Sequence, residues 1–213
     1  MDYYYQDSHC TIYNGDCREI LPQLEKVDLV LTDPPYNVGK NYGVWSDDLP
    51  TIEYLAFIKQ VFGSAKTDNI ITNTPKKWLA EYLQILPKSQ LIVIERGASG
   101  PFNQYGWADQ YDILLAQGRP KHAPSNLWKG IRLKGEGYFF REEHYDHPGY
   151  TPAEISKRGI KYFEAENIVD PFCGTGTTLR SAKDLNRKAI GIEISEKYCE
   201  IAVKRLQQEV MQF

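Results

Sequence analysis

The chain has 213 residues, 42% of them apolar and 25% charged, with 16 Gly and 12 Pro, a composition that excludes collagen-like, low-complexity and wholly disordered classes. A chain of this length buries roughly 70% of its unfolded surface as one domain carrying an insertion, and its four dispersed cysteines, Cys10, Cys17, Cys173 and Cys199, form no CxxC pair that would suggest zinc or a disulfide framework. The net charge of −3 does not mark a nucleic-acid binder, so a polyanionic partner would have to meet a local patch.

Taken in chain order, short apolar runs read as strands at 11–14, 27–32, 69–72 and 91–95, and helix-like stretches fall between them at 18–24, 51–62 and 75–85. Alternation of this kind predicts a mostly parallel sheet with helices on both faces, an α/β fold. The rhythm breaks over 97–150, rich in Gly, Pro and aromatics, where 111–117 is the one convincing strand. This stretch reads as an insertion on the sheet, which divides the chain into 1–96, 97–150 and 151–213. From Ile113 through Gly135 there is no acid, while Arg119, Lys121, Lys129, Arg132 and Lys134 supply five positive charges. They form the local patch that the whole-chain charge conceals, expected to bind nucleic acid. The alternation then resumes, with a helix over 153–163, strands over 167–170 and 188–193, and helices over 177–185 and 195–208. No apolar run approaches the roughly 18 residues of a membrane span. The opening MDYYYQDSHC lacks the basic patch and apolar stretch of a secretory signal, so a cytoplasmic location away from membranes is expected.

Two segments carry chemistry. In Asn167-Ile-Val-Asp-Pro-Phe-Cys-Gly-Thr-Gly-Thr-Thr178 a strand enters a Gly-x-Gly turn and then a helix. Gly174 and Gly176 let the backbone approach a ligand, and the helix start offers N–H groups to an anionic or polar group. Glu193, 19 residues past Gly174, closes the next strand, where an acid can accept both ribose hydroxyls of an adenosine. A third glycine is missing, since Arg180 stands past Thr178 and Leu179; an adenosine with a small zwitterionic tail suits the turn better than a pyrophosphate cofactor. The bland alternative is a tight turn. The second segment is Val27-Asp-Leu-Val-Leu-Thr-Asp-Pro-Pro-Tyr36, a strand ending in an acid, two prolines and an aromatic. The prolines stiffen the backbone and leave carbonyls free, so Asp33 and the Pro34 carbonyl can grip one NH2 group while Tyr36 stacks on the ring that bears it. Here the alternative is a rigid surface turn.

Asp33-Pro-Pro-Tyr36 followed by Asn37, together with Asp170-Pro-Phe-Cys-Gly-Thr-Gly-Thr-Thr178, resembles the amino-methylating DNA methyltransferases that modify adenine N6 or cytosine N4. The catalytic motif precedes the cofactor motif, as in the permuted β group of that family. Further matches are Asn14-Gly-Asp-Cys17, the Asp112 to Ala116 strand, and His147-Pro148 with Thr151-Pro152. The resemblance implies a Rossmann-like S-adenosylmethionine-dependent fold with a small inserted recognition segment. It implies S-adenosylmethionine cradled by Phe172, Gly174 and Gly176, with Asp170 and Thr177 near its amino-acid end, Glu193 on the ribose, and Asp16 with the Cys17 backbone at the adenine edge. Asp33, Pro34 and Tyr36 would form the target-base pocket and Pro35 would hold its geometry. An acid-first motif looks more like adenine than cytosine enzymes. DNA is the implied partner, in the setting of restriction and modification, and a homodimer is compatible although no residue requires it. The rival readings are transfer to cytosine N4, to an amine on RNA or protein, and a catalytically silent nucleic-acid-binding module of the same fold.

Overall fold

In the computed structural model, which describes residues 2–95, 111–122, 125–129 and 152–208, the strands among the described residues join in one sheet ordered β1-β2-β9-β8-β3-β4-β6-β5-β7. They are β1 (Tyr5–Gln6), β2 (Cys10–Asn14), β3 (Leu29–Thr32), β4 (Ile70–Asn73), β5 (Gln90–Glu95), β6 (Tyr111–Gln117), β7 (Leu127–Trp128), β8 (Asn167–Asp170) and β9 (Lys188–Glu193). The run β2-β9-β8-β3-β4 is parallel, whereas β6 lies antiparallel to both β4 and β5. The helices are α1 (Cys17–Ile20), α2 (Thr51–Ser64), α3 (Leu79–Ile85), α4 (Ala153–Phe163), α5 (Thr177–Asp184) and α6 (Glu196–Gln207). No helix among the described residues is long and apolar enough to cross a membrane.

All four residues of β3 are buried, as expected of a central strand covered on both faces. Alternation sorts them: Leu29 and Leu31 join Ile168, Ile155, Ile160, Leu179 and Ala202 in the core under α4, α5 and α6. Val30 joins Val169, Phe57, Ile58, Val61 and Tyr82 under α1, α2 and α3. The amphipathic period of α4 is clear, with Ile155, Ser156, Gly159, Ile160 and Phe163 inward, and it ends where Glu164 turns left-handed at φ 48°.

Three expectations change, the first being that the helix read over 18–24 is α-helical only to Ile20 and gives way to a 3₁₀ turn at Leu21–Gln23. The helix read over 75–85 is broken, a 3₁₀ turn at Lys76–Trp78 preceding α3, because Pro75 holds an extended φ/ψ of −61°/132° and gives the first turn no side-chain cap. The segment read as an insertion contributes to the sheet itself: β6 runs between β4 and β5, and β7 extends the edge with Trp128 buried. Residues 97–110, 123–124 and 130–150 of that segment lie outside the described residues.

Packing is tight beneath the glycine turn. A Cβ built on Gly191 of β9 would lie 2.7 Å from Cys173 Sγ and 2.8 and 2.9 Å from the two Leu179 methyl carbons, and both neighbours are buried. Gly191→Ala is therefore expected to destabilise the fold by about 1–3 kcal/mol through overpacking. Thermal unfolding followed by circular dichroism should show a fall of about 2–4 °C per kcal/mol, and an unchanged midpoint would show that the turn yields freely.

Candidate active site

The site begins where two strands stop side by side. β3 pairs in parallel with β8 through Leu29↔Ile168 and Val30↔Val169, so Thr32 and Asp170 end together and both motifs leave the same edge. The Thr32 hydroxyl donates to Asp170 Oδ1 at 2.7 Å, and the Phe172 N–H donates to the same oxygen at 3.1 Å. Burial raises the Asp170 carboxyl to about 6 against the pull of hydrogen bonds from Thr32, Thr178 and Phe172. Asp170 thus buttons the two strands together while also lining the hollow above them. That hollow, roughly 550 Å³ and open to solvent, is walled by Thr32, Asp33, Asn73, Asp170, Gly174 and Thr177 among others. A neighbouring hollow of roughly 360 Å³ is walled by Asp16, Cys17, Pro35, Trp45, Phe57 and Glu193. Phe172 belongs to both walls, so the early and late motifs share one crevice.

On the late side, Gly174 and Gly176 take φ of 49° and 81°, which disfavours any side chain. A Cβ on Gly176 would also lie 3.0 Å from that of Ala202. The turn opens α5, whose first residues Thr177 and Thr178 line the hollow. Glu193 Oε2 accepts from the Gly174 N–H at 3.0 Å and Oε1 from the Ser195 N–H at 2.8 Å. Burial raises the Glu193 carboxyl to about 7, the Asp170 charge adding to the rise and the amides of Ser195, Gly174 and Ile194 opposing it. Thr177 Oγ1 accepts from an Arg205 guanidinium nitrogen at 2.9 Å, so α6 braces the turn.

Asp16 lines the second hollow, but its carboxylate is engaged. It caps α1 through the Arg18 N–H at 2.9 Å and takes the Arg18 guanidinium at 2.5 and 3.0 Å. The hydrogen bond from Arg18 holds its carboxyl below the usual range. The guanidinium in turn lies 5.6 Å from the Phe57 ring and 5.9 Å from that of Trp45, within cation–π range. Cys17 is buried, which pushes its thiol to about 12; only its backbone is suited to ligand contact. Cys173, also buried with its thiol raised, is a packing residue with no nucleophilic character.

On the early side, the Tyr36 hydroxyl hydrogen-bonds the Asp33 carboxylate, and burial followed by that charge raises the phenol well above its ordinary range. The aromatic therefore rests against the acid that it was expected to accompany. The chain after it is tied down by residues that sequence reasoning missed. Tyr54 donates to the Pro35 carbonyl at 3.1 Å and shares a 2.8 Å hydrogen bond with Tyr82. The Trp78 indole N–H donates to the Tyr36 carbonyl at 3.0 Å. Asn37 sits left-handed at φ 54°, a conformation asparagine tolerates. Buried Asp47 accepts the backbone N–H groups of Asn37, Val38 and Lys40 at 2.7, 3.1 and 3.0 Å. No spacing rule singles out Asp47, since nothing local separates it from the exposed Asp48 beside it; for Tyr54, the helical apolar stripe marked burial but not its hydroxyl's target. Tyr54→Phe leaves the Pro35 carbonyl and the Tyr82 hydroxyl each short of a partner, so urea unfolding should report a loss of about 1–3 kcal/mol. A loss below about 0.5 kcal/mol, the ordinary scatter for surface changes, would show that water replaces the hydroxyl.

The basic run is split by the fold. Because β6 runs antiparallel to β4 with Gln117 opposite Ile70, Arg119 lies at the far end of the sheet, its N–H on Asn69 Oδ1 at 3.2 Å. The Lys121 N–H is held by the Tyr162 carbonyl at 2.8 Å, near the end of α4. β7 runs parallel to β5 and carries Lys129 back toward the crevice end, at the outer edge. Arg132 and Lys134 lie outside the described residues.

Comparison with known proteins places this geometry. A family model described as DNA methylase matches residues 116–204. The Type II methyltransferase M.HinfI of Haemophilus influenzae is 54% identical over 93% of this chain and 68% of its own length. The orphan methyltransferase M.BamHII of Bacillus amyloliquefaciens is 39% identical over 92% of each chain. Among solved structures, the M1.HpyAVI complex with S-adenosylmethionine shares the fold at a TM-score of 0.68 and 22% identity, over 93% of this chain and 100% of that one.

Proposed function

The chain belongs to the DNA methylase family of amino-group methyltransferases, and we propose that within it this protein methylates the exocyclic amine of a base swung out of DNA, adenine N6 in preference to cytosine N4. The observation that carries the reading is that Asp33 and Gly174 wall one hollow, so a base held by the early motif faces a donor held by the late one. The acid-first form of Asp33-Pro-Pro-Tyr36 supports adenine.

The residues present fit the family's methyl donor, S-adenosylmethionine. Gly174, left-handed and on the wall of the first hollow, keeps a side chain from where the donor would lie, Gly176 packs against Ala202 to hold the turn, and Glu193 offers a carboxylate at the wall of the adjoining hollow. Phe172 divides the two hollows, with Asp16 and the Cys17 backbone at the adenine side and Asp170 and Thr177 at the amino-acid side. When bound, the donor supplies a methyl group on a sulfonium, already strongly electrophilic. What the protein must supply is a competent amine. Asp33 and the Pro34 carbonyl accept its two N–H groups, drawing the lone pair out of conjugation with the ring and aiming it, through positioning and preorganised electrostatics. Pro35, braced by Tyr54, fixes the carbonyl's direction, and Tyr36 stacks on the extruded ring. Extrusion costs a few kcal/mol of stacking and pairing, which this aromatic contact offsets in part. In this reading residues 1–96 supply the base pocket and 151–213 most of the donor cradle.

The test is to incubate the protein and donor with a genome that lacks modification, digest to nucleosides, and map the marked positions. N6-methyladenine in a defined context is expected. N4-methylcytosine alone would overturn the adenine reading, and DNA binding with no methyl transfer would favour a silent binding module.

A further inference from the structure

We propose that Lys40, Lys76 and Lys77, on the rim of the base pocket, are the grip on the DNA backbone; this rests on the methyltransferase reading above. β3 and β4 are parallel neighbours, Thr32 opposite Thr72, so the loops that follow them leave the sheet at the same end, beside Asp33. The loop after β3 carries Lys40, whose Nζ lies 5.8 Å from the centre of the Tyr36 ring. The turn after β4 carries the other two. Lys77 Nζ donates to the Asn37 carbonyl at 2.5 Å and lies 4.7 Å from the Trp78 ring, the same tryptophan whose indole holds the Tyr36 carbonyl. Lys76 Nζ lies 4.0 Å over the ring of Tyr111, at the start of β6. Lys40 and Lys77 are thereby set on aromatic and backbone supports beside Tyr36, and Lys76, next to Lys77 in the same turn, on the ring of Tyr111.

This arrangement has what binding to phosphate needs. Lys76 and Lys77 are exposed, with their ammonium groups seated at the surface over the rings of Tyr111 and Trp78. Asp47, an acid of the same loop system, is 3% exposed and its carboxylate is taken up by backbone N–H groups, so its charge is turned inward. In a chain of net charge −3, attraction for a polyanion has to be local, and here it coincides with the pocket that receives the base. Arg119 is placed differently. The four residues of β4, at about 3.3 Å each, put roughly 13 Å of sheet between it and the crevice.

The salt dependence of binding decides the matter. On a short labelled duplex containing adenine, each phosphate that is no longer neutralised should lower the slope of log affinity against log salt by about 0.9. Lys40→Gln, Lys76→Gln and Lys77→Gln together should flatten it by roughly 2–3, and Arg119→Gln with Lys121→Gln by less than about 0.5, on the same scale. Affinity for S-adenosylmethionine, measured by calorimetry, should match the unaltered protein and shows that the triple variant is folded. Should that variant fail to bind the donor, Lys76→Gln alone decides, with a change of about 0.9 expected. An unchanged slope, or flattening by the Arg119 and Lys121 pair instead, overturns the proposal. The unaltered protein is assayed in parallel for transfer of labelled methyl to unmodified DNA. If it transfers and the slope is unmoved, only the lysine assignment falls; if it binds DNA without transfer, the methyltransferase reading falls while the slope still judges the lysines.

Discussion

Asp33→Ala should lower the single-turnover rate of methyl transfer by about 10²–10³-fold, the usual effect of deleting one preorganised electrostatic partner of a reacting group, while the donor's dissociation constant stays within about twofold, under 0.5 kcal/mol. The separation of effects follows from the two hollows. Asp33 shares the first hollow with Gly174, Asp170 and Thr177, but Asp16, Cys17 and Glu193, which in the proposed reading hold the donor's adenosine, line the other. Asp33→Asn, which keeps an acceptor oxygen of similar shape but not the charge, should lose less than the alanine variant. A stopped reaction with labelled donor gives the rate and calorimetry gives the affinity. Parallel loss of both would mean that Asp33 shapes the crevice as a whole and does not act on the amine.

The second large effect is one of pH. If Glu193 holds the donor's ribose as proposed, the hydroxyls donate to it and require a carboxylate, yet burial raises its carboxyl from 4.5 to about 7. Above pH 7 the acceptor form dominates and donor affinity should be flat. Below it, the acceptor fraction falls tenfold per unit, and the dissociation constant should rise by up to tenfold per unit between about pH 7 and pH 5, until the bound form also titrates. Glu193→Gln should bind more weakly at pH 8 and show little of this dependence. The same raised value has a stability consequence of opposite direction. Between about 4.5 and 7 the folded state keeps a proton that the unfolded chain has released, so the donor-free protein should lose stability as pH rises through that window. Asp170, raised from 3.8 to about 6, acts in the same direction over its own window. Donor affinity that is flat from pH 8 to pH 6 would remove Glu193 from the ribose.

Much of the architecture was legible because its signals are local. β6, β8 and β9 have the bounds that their apolar runs suggested, and α4 spans its whole amphipathic repeat. β1 and β7 were not legible, since two residues each are too short to show a period. Of the site, the residues with restricted backbone chemistry could be found: Gly174 and Gly176 by their turn, Pro34 and Pro35 by their stiffness, and Asp33 and Glu193 by their places at strand ends. Trp45, Asp47, Tyr54, Tyr82 and Trp78 could not, because each acts through a partner distant in sequence. Tyr54 reaches Pro35 and then Tyr82 across 19 and 28 residues. Asp16 was legible only through the family resemblance of Asn14-Gly-Asp-Cys17, and its commitment to Arg18 depends on side-chain reach that a spacing rule does not encode.

The sequence alone determined most of the strands and helices, the place of the glycine turn, and which acid precedes the stiff Pro-Pro-Tyr segment, since these follow from side-chain period, from the missing Cβ of glycine and from the ring of proline. Only the tertiary structure decided which strand ends meet and which cations stand beside them. Strand direction is fixed by pairing and by two-sided burial, so nothing within Tyr111–Gln117 announces that β6 runs against β4. That one reversal carries Arg119 to the far end of the sheet, while the parallel pairing of β3 with β4 brings out beside Asp33 the loops that bear Lys40, Lys76 and Lys77.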